Sequence, residues 1–430
     1  MSSTHTLKRQ IGIVGAIALG LGSIIGAGVF VSIGIATGIA GSAVLIAIAL
    51  AAGVAICNGL NSAQLAASHP VSGGTYEYGY RYLNPQLGFT AGWMFLLAKS
   101  ASAATSALGF AGYLLNVLGI ENRALLVPIA FSAIVVLTLV VLGGIRRSNI
   151  VSLIIVSITL LSLLFFVIAG FPIVLSNQFA NFTPFFNSDQ PIQAVLQATA
   201  LMFVAYTGYG RIATMGEEVR EPQRTIPRAI IVTLAITMLL YISVAFVGIG
   251  VVDATVLGNV TNRQVAPLEV AARSFAIPGS NLVLAIGAMT ATLGVLLNLI
   301  LGLSRVLFAM GRRRDMPGIV AQLAGSDASP NVAIVVMGIA IALLVLIGDV
   351  RVTWSFSAFS VLVYYAITNW AALRISERDR LYPKSIAWIG LFACLFLAFW
   401  VERQVWLMGL GLILVGLLWQ ALLRQLNQVT

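Results

Sequence analysis

The chain has 430 residues, of which 59% are hydrophobic and only 9% charged, where soluble proteins carry about 25% charged residues. The formal net charge of +10 raises nucleic acid as a partner, but the basic residues sit in short stretches between apolar runs, which is the pattern of membrane loops. Two cysteines, Cys57 and Cys394, and two isolated histidines, His5 and His69, exclude a disulfide framework and a metal centre. No cluster of His, Asp, Cys or Glu stands at membrane depth, so no enzyme and no cofactor is expected.

Twelve apolar spans can be drawn, at 11–39, 41–67, 88–118, 124–143, 149–176, 192–214, 229–252, 279–309, 332–349, 353–374, 385–401 and 404–424. Each is near the roughly 20 residues a bilayer requires. The first is too long for a cleavable leader. With the N-terminus inside, sixteen basic residues fall in inner segments and five in outer ones. Both termini are therefore expected in the cytoplasm of a plasma (inner) membrane protein. No soluble domain fits between the spans. The outer segment 253–278 mixes polar and apolar residues and suits a short amphipathic helix over the mouth.

The first span contains Gly22-Ser23-Ile24-Ile25-Gly26-Ala27-Gly28-Val29-Phe30, three glycines in seven residues. Irregular backbone at membrane depth must face protein or a water-filled cavity. A broken helix there offers amide donors at one half-helix end and carbonyl acceptors at the other, which match the carboxylate and ammonium of an amino acid. The alternative is a small-residue face for close helix packing. The sixth span carries a second interruption, Phe203-Val204-Ala205-Tyr206-Thr207-Gly208-Tyr209-Gly210. Breaks five spans apart are the signature of a five-plus-five inverted repeat with its site on the pseudo-symmetry axis. The repeats would cover about 11–176 and 192–374, with the last two spans, 385–424, outside them in a single transport domain.

Polar residues inside the spans add detail. Lys99 lies in the third span, with Ser102 and Ser106 on the same helical face. Two readings stand for it: a charge facing the interior, or a long stem snorkelling to the interface. Ser152, Thr159 and Ser162 share a face in the fifth span, and Thr290 and Thr292 lie near break level in the eighth. Acids are absent from the membrane core, since Glu77, Glu217, Glu218 and Glu221 belong to connections. That disfavours a cationic substrate.

These motifs resemble the amino acid–polyamine–organocation (APC) superfamily, and among it the amino acid permeases. Gly22 to Phe30 is similar to the first-helix signature G-x-I-I-G-x-G-I-F. Pro70-Val71-Ser72-Gly73-Gly74-Thr75-Tyr76 resembles P-x-x-G-G-x-Y, and Gly92-Trp93 the G-W that opens the third helix. Phe203 to Gly208, with Glu217-Glu218 through Pro227, resembles F-x-A-x-x-G-F followed by E-E-x-x-N-P-x-R-x-x-P. Ser304-Arg305 through Pro317 resembles the motif that ends the eighth helix.

The resemblance implies an inverted-repeat bundle working by alternating access. It places the substrate at Ile24, Ile25, Gly26, Ala27, Gly28, Phe203, Val204, Ala205, Tyr206, Thr207 and Gly208. The amides near Ala27 and Gly28 would hold the carboxylate, and the carbonyls of Ile24, Val204, Ala205 and Thr207 the ammonium. Tyr206 and Tyr209 would be the nearby aromatics. Many proton-coupled members carry a lysine fifteen residues after the G-[IV]-[RK] before the fifth helix. Counted from Gly144-Ile145-Arg146, that position is Thr159. Thr159, Thr290 and Thr292 are candidates for a sodium site, and Lys99 for a substitute charge. Gln64 stands where the family has an acid. The expected function is secondary transport of amino acids, neutral ones foremost, coupled to protons or sodium. The alternatives are an exchanger or exporter without proton coupling, or a polyamine or other organocation carrier. The expected partners are a small-molecule substrate and the lipid bilayer, with no nucleic acid and no obligate protein partner. Gly26→Leu and Gly28→Leu are expected to abolish uptake and spare expression.

Overall fold

The computed structural model describes residues 12–69, 73–143, 149–213, 219–323 and 329–429. Among them all regular structure is helical. Predicted motif residues Pro70–Ser72, Gly144–Arg146, Glu217 and Glu218 lie outside the described residues.

Helix α1 spans Ile13–Ile24 and ends where Ile25 turns extended, at φ −80° and ψ 110°. A wide helical turn, Gly28–Ser32, then leads into α2, Ile33–Ala40. Gly41 turns the chain with φ 61° into α3, Val44–Ser68. A left-handed backbone favours glycine, and a Cβ here would also stand 2.8 Å from that of Asn187. Gly73 and Gly74, both at positive φ, precede the short α4, Thr75–Tyr82. The Asn84 side chain accepts from Leu87 N–H at 2.8 Å, and Pro85 occupies the first position of α5, Pro85–Val117. Such a cap satisfies one of the orphan donors of a helix start.

The chain continues through α6 (Leu126–Leu142), α7 (Asn149–Ser176) and α8 (Pro191–Tyr206). After a tight turn at Thr207–Tyr209 come α9 (Gly210–Ala213) and α10 (Pro222–Val252). Two short helices, α11 (Ala254–Gln264) and α12 (Pro267–Arg273), fill the segment expected to hold one. The remaining helices are α13 (Ser280–Arg312), α14 (Asn331–Val345), α15 (Val350–Leu373), α16 (Lys384–Ala398) and α17 (Arg403–Val429).

Eight described runs are long and apolar enough to cross a membrane: Gly28–Ser68, Pro85–Val117, Arg123–Leu142, Leu153–Ser176, Pro222–Val252, Ser280–Arg312, Val350–Leu373 and Arg403–Gln425. The difference from twelve predicted spans has local causes. The second half of the first span joins the second through Gly41, and α8, α14 and α16 are only 16, 15 and 15 residues long.

Helices α5 and α15 are the most buried of these runs. The outer faces of α6, α7 and α17 expose Leu139, Leu161, Ile168 and Leu418, a surface that suits lipid. Helices α2 and α11 cross where Gly38 meets Gly258; a Cβ on Gly258 would lie 2.4 Å from the Gly38 Cα. Small residues permit such backbone approach.

Three polar clusters pin the bundle, and none was foreseen. At the end of the bundle near α4, Tyr76 and Tyr80 each donate to Asp315 at 2.6 Å, and Arg313 pairs with Glu77 while lying 4.2 Å over the Tyr80 ring. Burial, then the Asp315 hydrogen bond, raises both phenols, so they remain donors. At the opposite end the fully buried Glu269 of α12 accepts from Arg273 at 3.0 Å, from Asn281 at 3.1 Å and from Asn116. Between α3, α15 and α16, Gln64 donates to Asn61 at 2.8 Å, Asn61 to Asn369 at 2.7 Å, Asn369 to Asn58, and Asn58 to the Cys394 sulfur at 3.3 Å. Gln64, read from sequence as a lost acid, is thus part of an amide chain. Gly390 is small because a Cβ there would meet Asn369 Oδ1 at 2.8 Å.

Candidate functional site

The first break is built from main chain. Ile25 N–H closes α1 on Leu21 O at 2.8 Å. The second half begins where Val29 and Phe30 N–H reach Gly26 O, at 3.1 and 3.2 Å. The amides of Ala27 and Gly28 therefore stand at the start of a helix, ahead of its first backbone donors. Ile24, Ile25, Gly26, Ala27 and Gly28 are all buried. The sequence had spread the break over Gly22 to Phe30; it falls at Ile25–Ala27, and Gly22 is helical. Gly22 instead makes room for Val156 of α7, and Gly26 for Val295 of α13.

The second break follows α8. Thr207 closes the helix through its N–H on Val204 O, and its Oγ1 donates to the same carbonyl at 2.8 Å. The two breaks touch at two points. A Cβ on Gly28 would stand 2.8 Å from the Ala205 Cβ. One on Gly208 would stand 2.2 Å from Ser23 O. Glycine is required at both because backbone meets backbone or its first side-chain atom.

Of the four carbonyls nominated for an ammonium, Ile24 O and Ala205 O meet at one hydroxyl, and Thr207 O meets another. Tyr241 of α10 reaches Ile24 O at 3.2 Å and Ala205 O at 3.3 Å. Tyr365 of α15 reaches Thr207 O at 3.4 Å. A carbonyl oxygen has two lone pairs, so each retains capacity for a second donor. Neither tyrosine was singled out from sequence. Tyr241 is a lone polar aromatic in an apolar span, and Tyr365 is the second of an adjacent tyrosine pair, Tyr364-Tyr365, in another. The two aromatics singled out from the sequence sit differently. Tyr206 is committed to Ile48 O at 3.3 Å and to the Tyr241 ring. The rings gathered with Tyr365 beside Thr207 are Phe203, centroids 5.6 Å apart, and Tyr209, 5.5 Å apart.

Lys99 does not snorkel. Its Nζ donates to Thr207 Oγ1 at 2.8 Å, tying α5 to the second break. The face it was expected to share with Ser102 and Ser106 has three different tasks. Ser102 pairs with Ser357 of α15 at 2.7 Å, and Ser106 donates to Ser102 O at 2.9 Å. Thr105 pairs with Thr353 at 2.8 Å, one more α5–α15 link.

Thr159 donates to Ile155 O at 2.7 Å and Thr292 to Ala288 O at 2.7 Å, each within its own helix. Ser162 of α7 packs into the space left by Gly287 of α13, the Ala291 carbonyl of α13 lies toward Gly26, and the Thr292 methyl lies toward Gly109 of α5. The side chain of Ser152 lies outside the described residues.

The amino acid permease family model matches residues 15–428. The chain belongs to the amino acid permease family. The permease is similar to uncharacterized transporter Rv1999c of Mycobacterium tuberculosis, with 39% identity covering 91% of this chain and 86% of the relative. It is also similar to branched-chain amino acid permease BcaP of Bacillus subtilis, at 27% identity over 80% of this chain and 76% of the relative. Cationic amino acid transporter 4 of Arabidopsis thaliana is 25% identical over 80% of this chain and 60% of that protein. The chain is a multi-pass membrane transporter and not an enzyme.

Proposed function

We propose that this permease is a secondary transporter of amino acids, neutral ones foremost, working by alternating access across the plasma membrane with both termini in the cytoplasm. Its twelve spans form a five-plus-five inverted repeat, about 11–176 and 192–374, followed by two further helices. The substrate carboxylate lies at the Ala27 and Gly28 amides, and its ammonium at the carbonyls of Ile24, Ala205 and Thr207; Val204 O, also expected there from the sequence, is filled by the Thr207 N–H and Oγ1. The observation that carries this reading is the crossing of the two breaks, with Gly28 on Ala205 and Gly208 on Ser23. It brings helix-start amides and helix-end carbonyls of two discontinuous helices to one buried point, where main-chain dipoles act without competition from water. BcaP, a relative whose name gives branched-chain amino acids, supports an amino acid substrate. Lys99 beside the second break speaks against a polyamine or other organocation. A coupling ion, sodium, would use Thr159, Thr290 and Thr292; a proton would use Lys99.

The test is uptake of labelled amino acids into proteoliposomes, with and without a proton or sodium gradient and with and without internal amino acids. Accumulation into empty vesicles under a gradient marks a symporter; uptake only against internal substrate marks an exchanger. Absence of any amino acid flux would remove the proposal.

A further inference from the structure

We propose that Lys99 sets the chemical class of the substrate side chain, rejecting cationic side chains and recruiting those that end in a carbonyl or carboxylate acceptor. The proposal rests on the amino-acid site described above.

Position comes first. Lys99 Nζ holds Thr207 Oγ1, and Thr207 lies two residues beyond Ala205, the residue that touches Gly28. With the α-carboxylate at the Gly28 amide, a side chain extending toward α5 and α15 runs toward this ammonium. Lys99 also keeps accessible surface although its neighbours Ala98 and Ser100 are buried.

Donor capacity comes second. The Thr207 hydroxyl hydrogen is committed to Val204 O, so Lys99 is the donor in their pair. An ammonium has three N–H groups, and Thr207 takes one. Among the described residues no carboxylate pairs with Lys99. The buried acids Glu269 and Asp315 sit at opposite ends of the bundle with partners of their own. Two donors and the charge of Lys99 thus have no described protein partner at membrane depth.

A charge away from water is unfavourable unless an opposite charge or good acceptors surround it. A second ammonium or guanidinium from the substrate adds like-charge repulsion at low dielectric. A carboxamide or carboxylate supplies acceptors for both free N–H groups. A site built to hydrogen-bond a substrate group discriminates sharply against analogues that lack it. The favoured substrates are asparagine, glutamine, aspartate and glutamate; arginine and lysine are refused, and aliphatic side chains are carried less well.

The experiment measures kcat/KM for labelled glutamine, glutamate, leucine and arginine in proteoliposomes of wild type, Lys99→Met and Lys99→Arg. Wild type should take glutamine or glutamate at least about tenfold better than leucine and exclude arginine. Lys99→Met, close in volume and without charge, should lose at least about tenfold more on glutamine and glutamate than it loses on leucine, and admit arginine. Lys99→Arg should keep the wild-type ranking. The wild-type ranking needs no variant to fold: efficient arginine transport, or leucine preferred over glutamine, overturns the proposal. An unchanged ranking in Lys99→Met with lost gradient dependence overturns it too and makes Lys99 a coupling group only. Failure of the underlying site reads differently: wild type would carry none of the four labelled amino acids under any gradient or against any internal substrate.

Discussion

The two breaks use the same device and are finished differently. The first, Ile25–Ala27, is main chain around a single glycine, Gly26, with one hydroxyl, that of Tyr241, on Ile24 O and its amides left at the start of a helix. The second, Thr207–Tyr209, is dressed by side chains from other helices: Lys99 on the Thr207 hydroxyl, Tyr365 on its carbonyl, Tyr241 on Ala205. A buried amide pair exposed in this way accepts one kind of ligand group, an anion, and needs little else. Carbonyls at the other end would stay unsatisfied at membrane depth in a substrate-free cycle, which is costly. Hydroxyl donors keep them satisfied and leave a lone pair for a substrate ammonium. On the proposed reading, the asymmetry separates recognition of the α-carboxylate, by backbone amides, from recognition of the ammonium and side chain, by carbonyls held through distant residues.

The comparison breaks most severely at Gly208. An added Cβ would stand 2.2 Å from Ser23 O and 2.6 Å from Ile24 N, backbone atoms that cannot step aside. Gly208→Ala should abolish transport and reduce folded protein, seen together by uptake and by size-exclusion profile in detergent. Gly28→Ala comes next. Its Cβ points at Ala205, 2.8 Å away, and at the Tyr241 hydroxyl, 3.1 Å away. The expected loss of uptake is large, but its cause differs from the sequence argument. The side chain pushes the two breaks apart instead of filling the anion site, so Gly28→Leu should also lower stability and not spare expression. Gly26→Ala sharpens the contrast, because the obstacle is Val295 Cγ2, a side-chain terminus that can shift. It should retain clearly more uptake than Gly28→Ala.

Tyr241→Phe tests the dressed end. It removes the hydroxyl shared by the Ile24 and Ala205 carbonyls, at a cost of about 1–3 kcal/mol for unsatisfied buried acceptors. A substrate ammonium should recover part of that, so the ligand-induced rise in Tm should exceed that of wild type. An equal rise would mean the ammonium binds elsewhere. The smallest effect is expected far from both breaks. Asn84→Ala removes the α5 cap and should lower stability by about 1 kcal/mol, with transport kinetics unchanged.

Much of this was legible in the residues. Glycine clusters at Gly26–Gly28 and Gly208–Gly210 mark breaks because glycine weakens a helix locally, whatever surrounds it. The span count was less legible. A hinge such as Gly41 and short helices such as α8 and α14 change lengths without changing hydrophobicity. The position of Lys99 was legible as an alternative only, since a lysine stem reaches either the interface or the interior with the same sequence around it.

The sequence alone determined the class of protein, the location of both helix breaks and the residue types able to meet an amino acid there. Those follow from composition and local backbone preference, which act within a few residues. The tertiary structure decided which atoms face one another: Gly28 on Ala205, Tyr241 across Ile24 and Ala205, Lys99 on Thr207, and the amide chain from Gln64 to Cys394. Each of these joins residues far apart in the chain, and helix rotation and register, set by packing over whole faces, choose among partners that a linear pattern leaves equivalent.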